Sequence, residues 1–274
     1  RRSENFDFRS ARTAMKTSMR VNHLLPFTQQ QTYSLSTLYP YATRPEGEWA
    51  FQTELRYRFK RGSVLGGKYG TNIKISASYV RELKKEITEG LGSPDQIGVD
   101  IRGTKGYDTR FFGMGKQLFH DIDLEVSKKL SPSYQFTLSY MNQHYNQQVI
   151  EGHADNGDII YSNIFVYEGK HKLSNDMGLR TELQYLTTRQ AEKDWLFGLV
   201  EFSPTPNIIF SVSDQWNMGV TNKHYYMFSV AGTLSGHRLQ LSYGSTREGI
   251  NCSGGVCRVM PASKGLFLSY NFIL

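Results

Sequence analysis

The chain has 274 residues, 39% hydrophobic, 21% charged and 13% aromatic, with a formal net charge of +7. Its mean hydropathy is −0.48, and no run approaches the roughly 18 apolar residues of a membrane helix, which excludes a helical membrane protein. With 17 Tyr and 16 Phe the chain is too aromatic for disorder, and 2 Cys cannot build a disulfide scaffold or a four-thiolate zinc site.

From the N-terminus, residues 13–25 carry a weak two-residue alternation, and 26–46 read as a long connection. Residues 47–60 carry the clearest signal. Trp49, Phe51, Thr53, Leu55, Tyr57 and Phe59 alternate with Glu48, Ala50, Gln52, Glu54, Arg56, Arg58 and Lys60. A period of two puts these sets on opposite faces of an extended strand, one oily and one charged, and no helix separates them so. Residues 71–81 follow, then a long connection over 82–117. Leu118, His120, Ile122, Leu124 and Val126 next alternate with Phe119, Asp121, Asp123, Glu125 and Ser127. Tyr134, Phe136, Leu138 and Tyr140 repeat the pattern, as do Met177, Leu179, Thr181, Leu183 and Tyr185. Weaker strands fall at 159–172, 194–203, 207–217, 222–234 and 238–245. The last strand sets Leu266, Leu268, Tyr270, Phe272 and Leu274 against Phe267, Ser269, Asn271 and Ile273.

The total is about twelve strands, many reaching the 9–11 residues that cross a bilayer at a tilt, against about 5–6 for ordinary strands. Connections alternate in length. Those at 131–133, 173–176, 204–206 and 235–237 are short, and those at 26–46, 82–117, 147–158 and 246–262 are long. Tight turns at one rim and longer loops at the other describe an outer-membrane barrel. Two connections fit less well: 61–70 is long for a turn, and those near Gln190 and Gly219 are short for loops. A soluble β-sandwich would favour Val, Ile and Leu on its buried face rather than aromatics at both ends of each apolar stripe. The expected fold is therefore all-β, an antiparallel transmembrane β-barrel of about twelve or more strands, forming one domain over 1–274.

The final strand resembles the terminal recognition strand that outer-membrane barrels present to their insertion machinery. Gly265, Leu266, Leu268, Tyr270 and Phe272 carry the likeness, with Leu274 ending the chain in place of Phe. Three further stretches, 35–48 (LSTLYPYATRPEGE), 65–74 (LGGKYGTNIK) and 251–261 (NCSGGVCRVMP), resemble the C-terminal half of a family of uncharacterised outer-membrane proteins from Bacteroidota. That resemblance implies a Gram-negative outer membrane, contact with its lipid and lipopolysaccharide, and association with large envelope assemblies such as type IX secretion. It also implies further strands upstream of Arg1, where the chain reads as a processed product or a piece of something longer.

Three constellations invite a chemical reading. Cys252 and Cys257 flank Ser-Gly-Gly-Val in an outside loop, where an oxidising compartment favours a disulfide that pins the loop. A redox role is the other reading, against which stands the lack of a C-x-x-C spacing. The second is a set of lumen-facing charges: Arg56, Arg58, Lys74, Asp121, Asp123, Glu125, Arg180 and Glu182. Opposite charges on neighbouring strands bridge and fill a narrow interior, or else line an ion-selective pore. His153 with Asp155 and Asp158 marks a loop that binds a cation, acts as acid and base, or is merely solvated. No phosphate-binding loop and no G-x-S-x-G elbow occurs.

Lys and Arg are spread over all strands, so no nucleic-acid interface is definable. Lys84, Lys85, Arg102, Lys105 and Arg110 of the longest loop are placed to meet anionic lipopolysaccharide or a partner protein. That loop, rich in Gly and carrying Tyr107, Phe111 and Phe112, is long enough to plug the lumen or reach a partner. The expected function is non-catalytic: a structural or accessory barrel of an envelope secretion or transport complex, without cofactor or metal. A porin-like channel is the alternative, and a barrel hydrolase the weaker one.

Overall fold

The computed structural model describes residues 2–3, 7–8, 19–20, 33–41, 48–84, 86–87, 107–108, 112–150, 159–253 and 256–272, with side chains for 33–41, 48–84, 112–150, 159–249 and 261–272. Eleven long strands dominate it: β1 (Glu48–Phe59), β2 (Thr71–Leu83), β3 (Met114–Lys129), β4 (Tyr134–Asn146), β5 (Ile159–Lys172), β6 (Gly178–Thr188), β7 (Trp195–Thr205), β8 (Ile208–Asn217), β9 (His224–Leu234), β10 (His237–Thr246) and β11 (Ser263–Phe272). Their lengths run from 10 to 16 residues. All lie in one sheet in chain order, and the two-residue strand Arg2–Ser3 adds a twelfth member beside β1. Each strand pairs antiparallel with its chain neighbour; across the short connections, such as 130–133, 173–177, 206–207 and 235–236, the tight turn leaves no other partner within reach.

The alternation read in the sequence is the register of this meander. One face, here the outer one, carries aligned rows such as Leu124–Tyr140–Phe165 and Phe210–Val230–Leu241–Leu268. Most of these large apolar side chains are exposed, Leu268 at 70% and Leu55 at 65%. The inner face carries Ser76, Ser78, Asp121, Asp123, Ser139, Gln143, Ser162, Glu182 and Gln184, all buried. The usual distribution is inverted. With strands about 4.8 Å apart, an apolar band over eleven of them extends on the order of 50 Å. Single soluble domains seldom expose more than a few hundred Å² of contiguous apolar surface.

The strands are staggered as well as paired. One row of partners leaves β1 at its last residue, Phe59, passes through Thr71, Lys128, Phe136, Gly169, Thr181, Val200, Val212, Phe228 and Tyr243, and meets β11 at Leu266, near that strand's start. Such steady climbing is the shear that lets tilted strands curl toward closure. Among the described residues β1 and β11 are not joined, so the sheet is open. With eleven antiparallel neighbours these two edges run in the same direction. An all-antiparallel closure would add an odd number of strands between them, the sense in which Arg2–Ser3 meets Glu48 and Trp49.

Residues 33–41 depart from expectation. They fall in the connection expected to lie outside, yet they lie against the inner face. Around a 3₁₀ turn at Leu35–Thr37, the side chains of Tyr33, Leu35, Leu38, Tyr39 and Tyr41 are buried among Phe119, Met141, Tyr145, Ile160, Ile164, Leu186 and Trp195. Tyr41 stacks on Phe119 at 5.3 Å and Tyr39 lies 5.8 Å from Tyr145 between ring centroids. The loop-side half of the inner face is therefore apolar and filled, and the turn-side half is polar. The expected 82–117 loop begins after Leu83 and ends before Met114; most of it lies outside the described residues, as does most of 13–25.

Gly244 shows how tightly β9 and β10 approach. A Cβ there would sit 2.1 Å from the Tyr226 carbonyl oxygen and 2.8 Å from Met227 Cα, both backbone atoms that cannot swing aside. At Gly232 a Cβ would meet nothing within 4 Å. Gly244→Ala is expected to cost about 1–3 kcal/mol in denaturant unfolding, whereas Gly232→Ala should be neutral or slightly stabilising. Equal effects at the two positions would show that this contact is not made.

Candidate functional site

The inner face supplies the polar chemistry, and two charge groups stand out. At the β1 edge, Arg56 Nε donates to Glu54 Oε1 at 2.7 Å, and Lys74 Nζ lies 3.6 Å from Glu54 Oε2. Arg58 shares that face but is exposed on the open edge. In the middle of the sheet, Arg180 gathers three carboxylates from three strands. Its guanidinium donates to Glu182 and, at 2.6 Å, to Glu201 Oε2, and its Nε lies 3.3 Å from Glu168 Oε1. Lys170 Nζ pairs with the same Glu168 oxygen at 2.6 Å. Antiparallel register brings this about, since Glu168 stands opposite Glu182, Arg180 opposite Lys170 and Arg180 opposite Glu201.

The network continues into the segment over the inner face. Gln184 donates to Glu182 through Nε2 and accepts the Leu35 backbone N–H through Oε1 at 2.8 Å. Ser34 donates to Gln215 Oε1 at 3.1 Å, and Tyr33 donates to Glu168 Oε2 at 3.5 Å. Burial, with Glu168 and Glu125 close by, pushes the Tyr33 phenol above its ordinary value, so it remains a donor. Residues 33–41 thus bridge β3 to β8 by packing, side-chain hydrogen bonds and no strand ladder. The segment is held on the inner face by a polar latch.

Of the eight charges singled out in the sequence, the fold brings Arg56 close to Lys74 through Glu54, and Arg180 to Glu182. Asp121, Asp123 and Glu125 follow one another along the inner face of β3. Sequence reasoning missed Glu54, Glu168, Glu201, Gln184 and Gln143. Their inward facing follows from the two-residue period, but which charge meets which is set by cross-strand register. Gly265, Leu266, Leu268, Tyr270 and Phe272 all lie on β11, the last four exposed on the outer face. Cys252 and Cys257 stand directly opposite each other in a small ladder of Gly249–Ser253 with Val256–Met260; their side chains lie outside the described residues. So do His153, Asp155, Asp158, Lys85, Arg102, Lys105 and Arg110.

On the outer face a polar chain crosses three strands. Gln117 Nε2 lies 2.8 Å from His120 Nδ1, His120 Nε2 lies 3.1 Å from Asn142 Oδ1, and Asn142 donates to Asn163 at 3.0 Å. No carboxylate belongs to it. His224 does pair with Asp214, at 2.6 Å, but among the described residues no Ser, Thr or Cys hydrogen-bonds that imidazole, so the pair lacks a nucleophile. A cleft of about 260 Å³ near the turns is lined by Lys129, Lys170, His171 and Lys172, without a carboxylate. No group of three or more His, Cys, Asp or Glu side chains among the described residues is arranged to hold a metal.

Removing Arg180 would leave Glu168, Glu182 and Glu201 facing one another. Because the guanidinium is 28% exposed, Arg180→Gln is expected to cost about 2–3 kcal/mol, below the roughly 3–5 kcal/mol of a fully buried pair. The latch loosens with it. A thiol placed at the buried Ser36 by Ser36→Cys should label slowly in the parent and much faster with Arg180→Gln added. An unchanged labelling rate would separate the charge network from the hold on residues 33–41.

No protein of curated function matches the chain. A family model described as "Family of unknown function (DUF6029)" matches residues 1–274, the whole of the sequence. The inverted sheet with its latched inner segment accordingly belongs to a member of the DUF6029 family.

Proposed function

We propose that the chain forms an integral β-barrel domain of a Gram-negative outer membrane, of the Bacteroidota kind, with an occluded lumen. It acts there as a non-catalytic structural or accessory component of an envelope secretion or transport assembly, type IX secretion being one candidate. The single observation that carries the reading is the inversion of the sheet, with large apolar side chains exposed outward and polar ones buried inward. Lipid tails are the surroundings in which the outer face costs nothing, and ladder pairing leaves few backbone groups unsatisfied within them. Strands of 10–16 residues have the reach to cross at a tilt.

Occlusion is preferred to conduction for two reasons. Residues 33–41 lie across the inner face, and Arg180 and Lys170 pair with Glu168, Glu182 and Glu201 instead of standing free along a path. With the lumen filled, what remains for binding is the outer wall and the loop rim, which suits scaffolding. Among the described residues no constellation supports the barrel hydrolase, and the porin-like channel is decided by experiment.

Purified protein should need detergent or lipid to stay dispersed; a monodisperse, amphiphile-free solution would defeat the membrane reading. In planar bilayers the native chain should show no sustained conductance, and replacing 33–41 by a Gly/Ser segment of equal length should open one. Steady conductance in the native chain would instead favour the porin-like channel. Gentle extraction followed by mass spectrometry should bring other envelope proteins along, and repeated recovery of the chain alone would count against scaffolding. The proposed oxidising compartment implies a Cys252–Cys257 disulfide, so neither thiol should alkylate before reduction; free thiols in protein taken from the envelope would contradict it.

A further inference from the structure

The inner face of β2, β3, β4 and β5 holds a group of oxygen atoms that the plug and the charge network leave unused. Ser78, Asp121, Gln143 and Ser162 form one row of direct cross-strand partners, and Ser76 stands opposite Asp123 in the neighbouring row. All point to the same side of the sheet, with adjacent Cβ atoms about 4.5–5.5 Å apart. All are deeply buried: Asp121 is 2% exposed, Asp123 1%, Gln143 1%, Ser76 0% and Ser78 5%.

Their polar atoms lack partners to an unusual degree. Asp121 Oδ1, both carboxylate oxygens of Asp123 and the hydroxyls of Ser76, Ser78 and Ser162 make no hydrogen bond, and the Gln143 amide faces Asp121 across the ladder. Buried carboxylates are normally paired or bound to a cation, because desolvating an isolated charge costs several kcal/mol or more. The nearby cationic side chain is Lys74, one row further toward the turns, where it stands opposite Glu125 and lies 3.6 Å from Glu54.

We propose that Asp121 and Asp123 hold a hard divalent cation, Ca²⁺ in the first instance, with Gln143 Oε1 and the hydroxyls of Ser76 and Ser78 completing the protein side of the site. Alternate residues of a strand lie about 6.7 Å apart, a gap that two Asp side chains close around one ion at about 2.4 Å from each oxygen. Every donor is oxygen. His120 and His144 belong to the opposite face, so a zinc-type set is not formed. Donors arrayed on one side of a pleated surface suit the irregular six- to eight-fold shell of Ca²⁺ better than the strict octahedron of Mg²⁺. The site does not depend on the membrane reading, since it rests on the inner face alone.

The test uses the full chain in micelles, stripped with EDTA and titrated with CaCl₂ by calorimetry, with thermal unfolding followed in parallel. One saturable site is expected, with affinity falling at least tenfold in Asp121→Asn and in Asp123→Asn. Asp176→Asn, in an exposed turn, should leave it unchanged. EDTA should lower the unfolding temperature of the parent but not of the Asp121→Asn/Asp123→Asn double variant, which keeps the result readable even if one single variant folds poorly. Absence of saturable uptake by the folded parent, or full uptake by the folded double variant, would overturn the site and leave water or a shared proton to satisfy the pair.

Discussion

Eleven strands satisfy one another's backbone groups edge to edge, and that ladder allows each side chain only two directions. Everything else in the molecule follows from how the chain uses them. One direction receives Phe, Leu, Val, Ile and Tyr and leaves most of them exposed; the other receives Ser, Gln, Asp and Glu and buries many of them, with Lys and Arg half-buried or at the exposed margins. In water this arrangement is unfavourable on both faces, since apolar area is hydrated while charges are desolvated. It becomes favourable when the outer face meets hydrocarbon and the inner face encloses its own polar contacts, which is the case for the reading proposed. The ladder also exposes the molecule's open point. Two edges that run in the same direction cannot pair antiparallel with each other, and among the described residues they stay apart.

The inner face is divided by the kind of contact it makes. Toward the loops, Phe119, Met141, Tyr145, Ile160, Ile164, Leu186 and Trp195 receive the aromatic and aliphatic side chains of 33–41. Toward the turns, Arg180 balances carboxylates drawn from β5, β6 and β7. Glu182 and Gln184 join the halves, because the amide that donates to the carboxylate also accepts the Leu35 N–H. Each neutral hydrogen bond of this kind contributes only about 0.5–1.5 kcal/mol. The segment is therefore held mainly by its buried apolar residues, and its polar contacts set where it sits. A segment held without a ladder can leave the inner face and keep the sheet intact, as a β-strand of the wall cannot.

Much of this is legible in the residues. Trp49 through Phe59 announce a two-faced strand by their spacing alone, and the short turns at 131–133, 173–176, 204–206 and 235–237 dictate a meander of chain neighbours. The segment 33–41 reads as part of an outside connection because it falls in 26–46, one of the long connections that alternate with the short turns. Its concentration of Tyr and Leu is the signal that points inward, since a solvated loop has little use for such residues. The charges are legible one at a time. Glu201 and Glu168 face inward by parity, yet nothing local says that both reach Arg180.

Local spacing by itself determined the all-β class, the strand faces and the side-by-side order, because alternation and turn length act between residues close in the chain. Only the tertiary structure decided which loop segment enters the interior, which carboxylates share one guanidinium, and which pair lies buried without a partner. Those outcomes depend on register and stagger accumulated across many strands, and a shift of one residue at any turn would redirect every side chain beyond it.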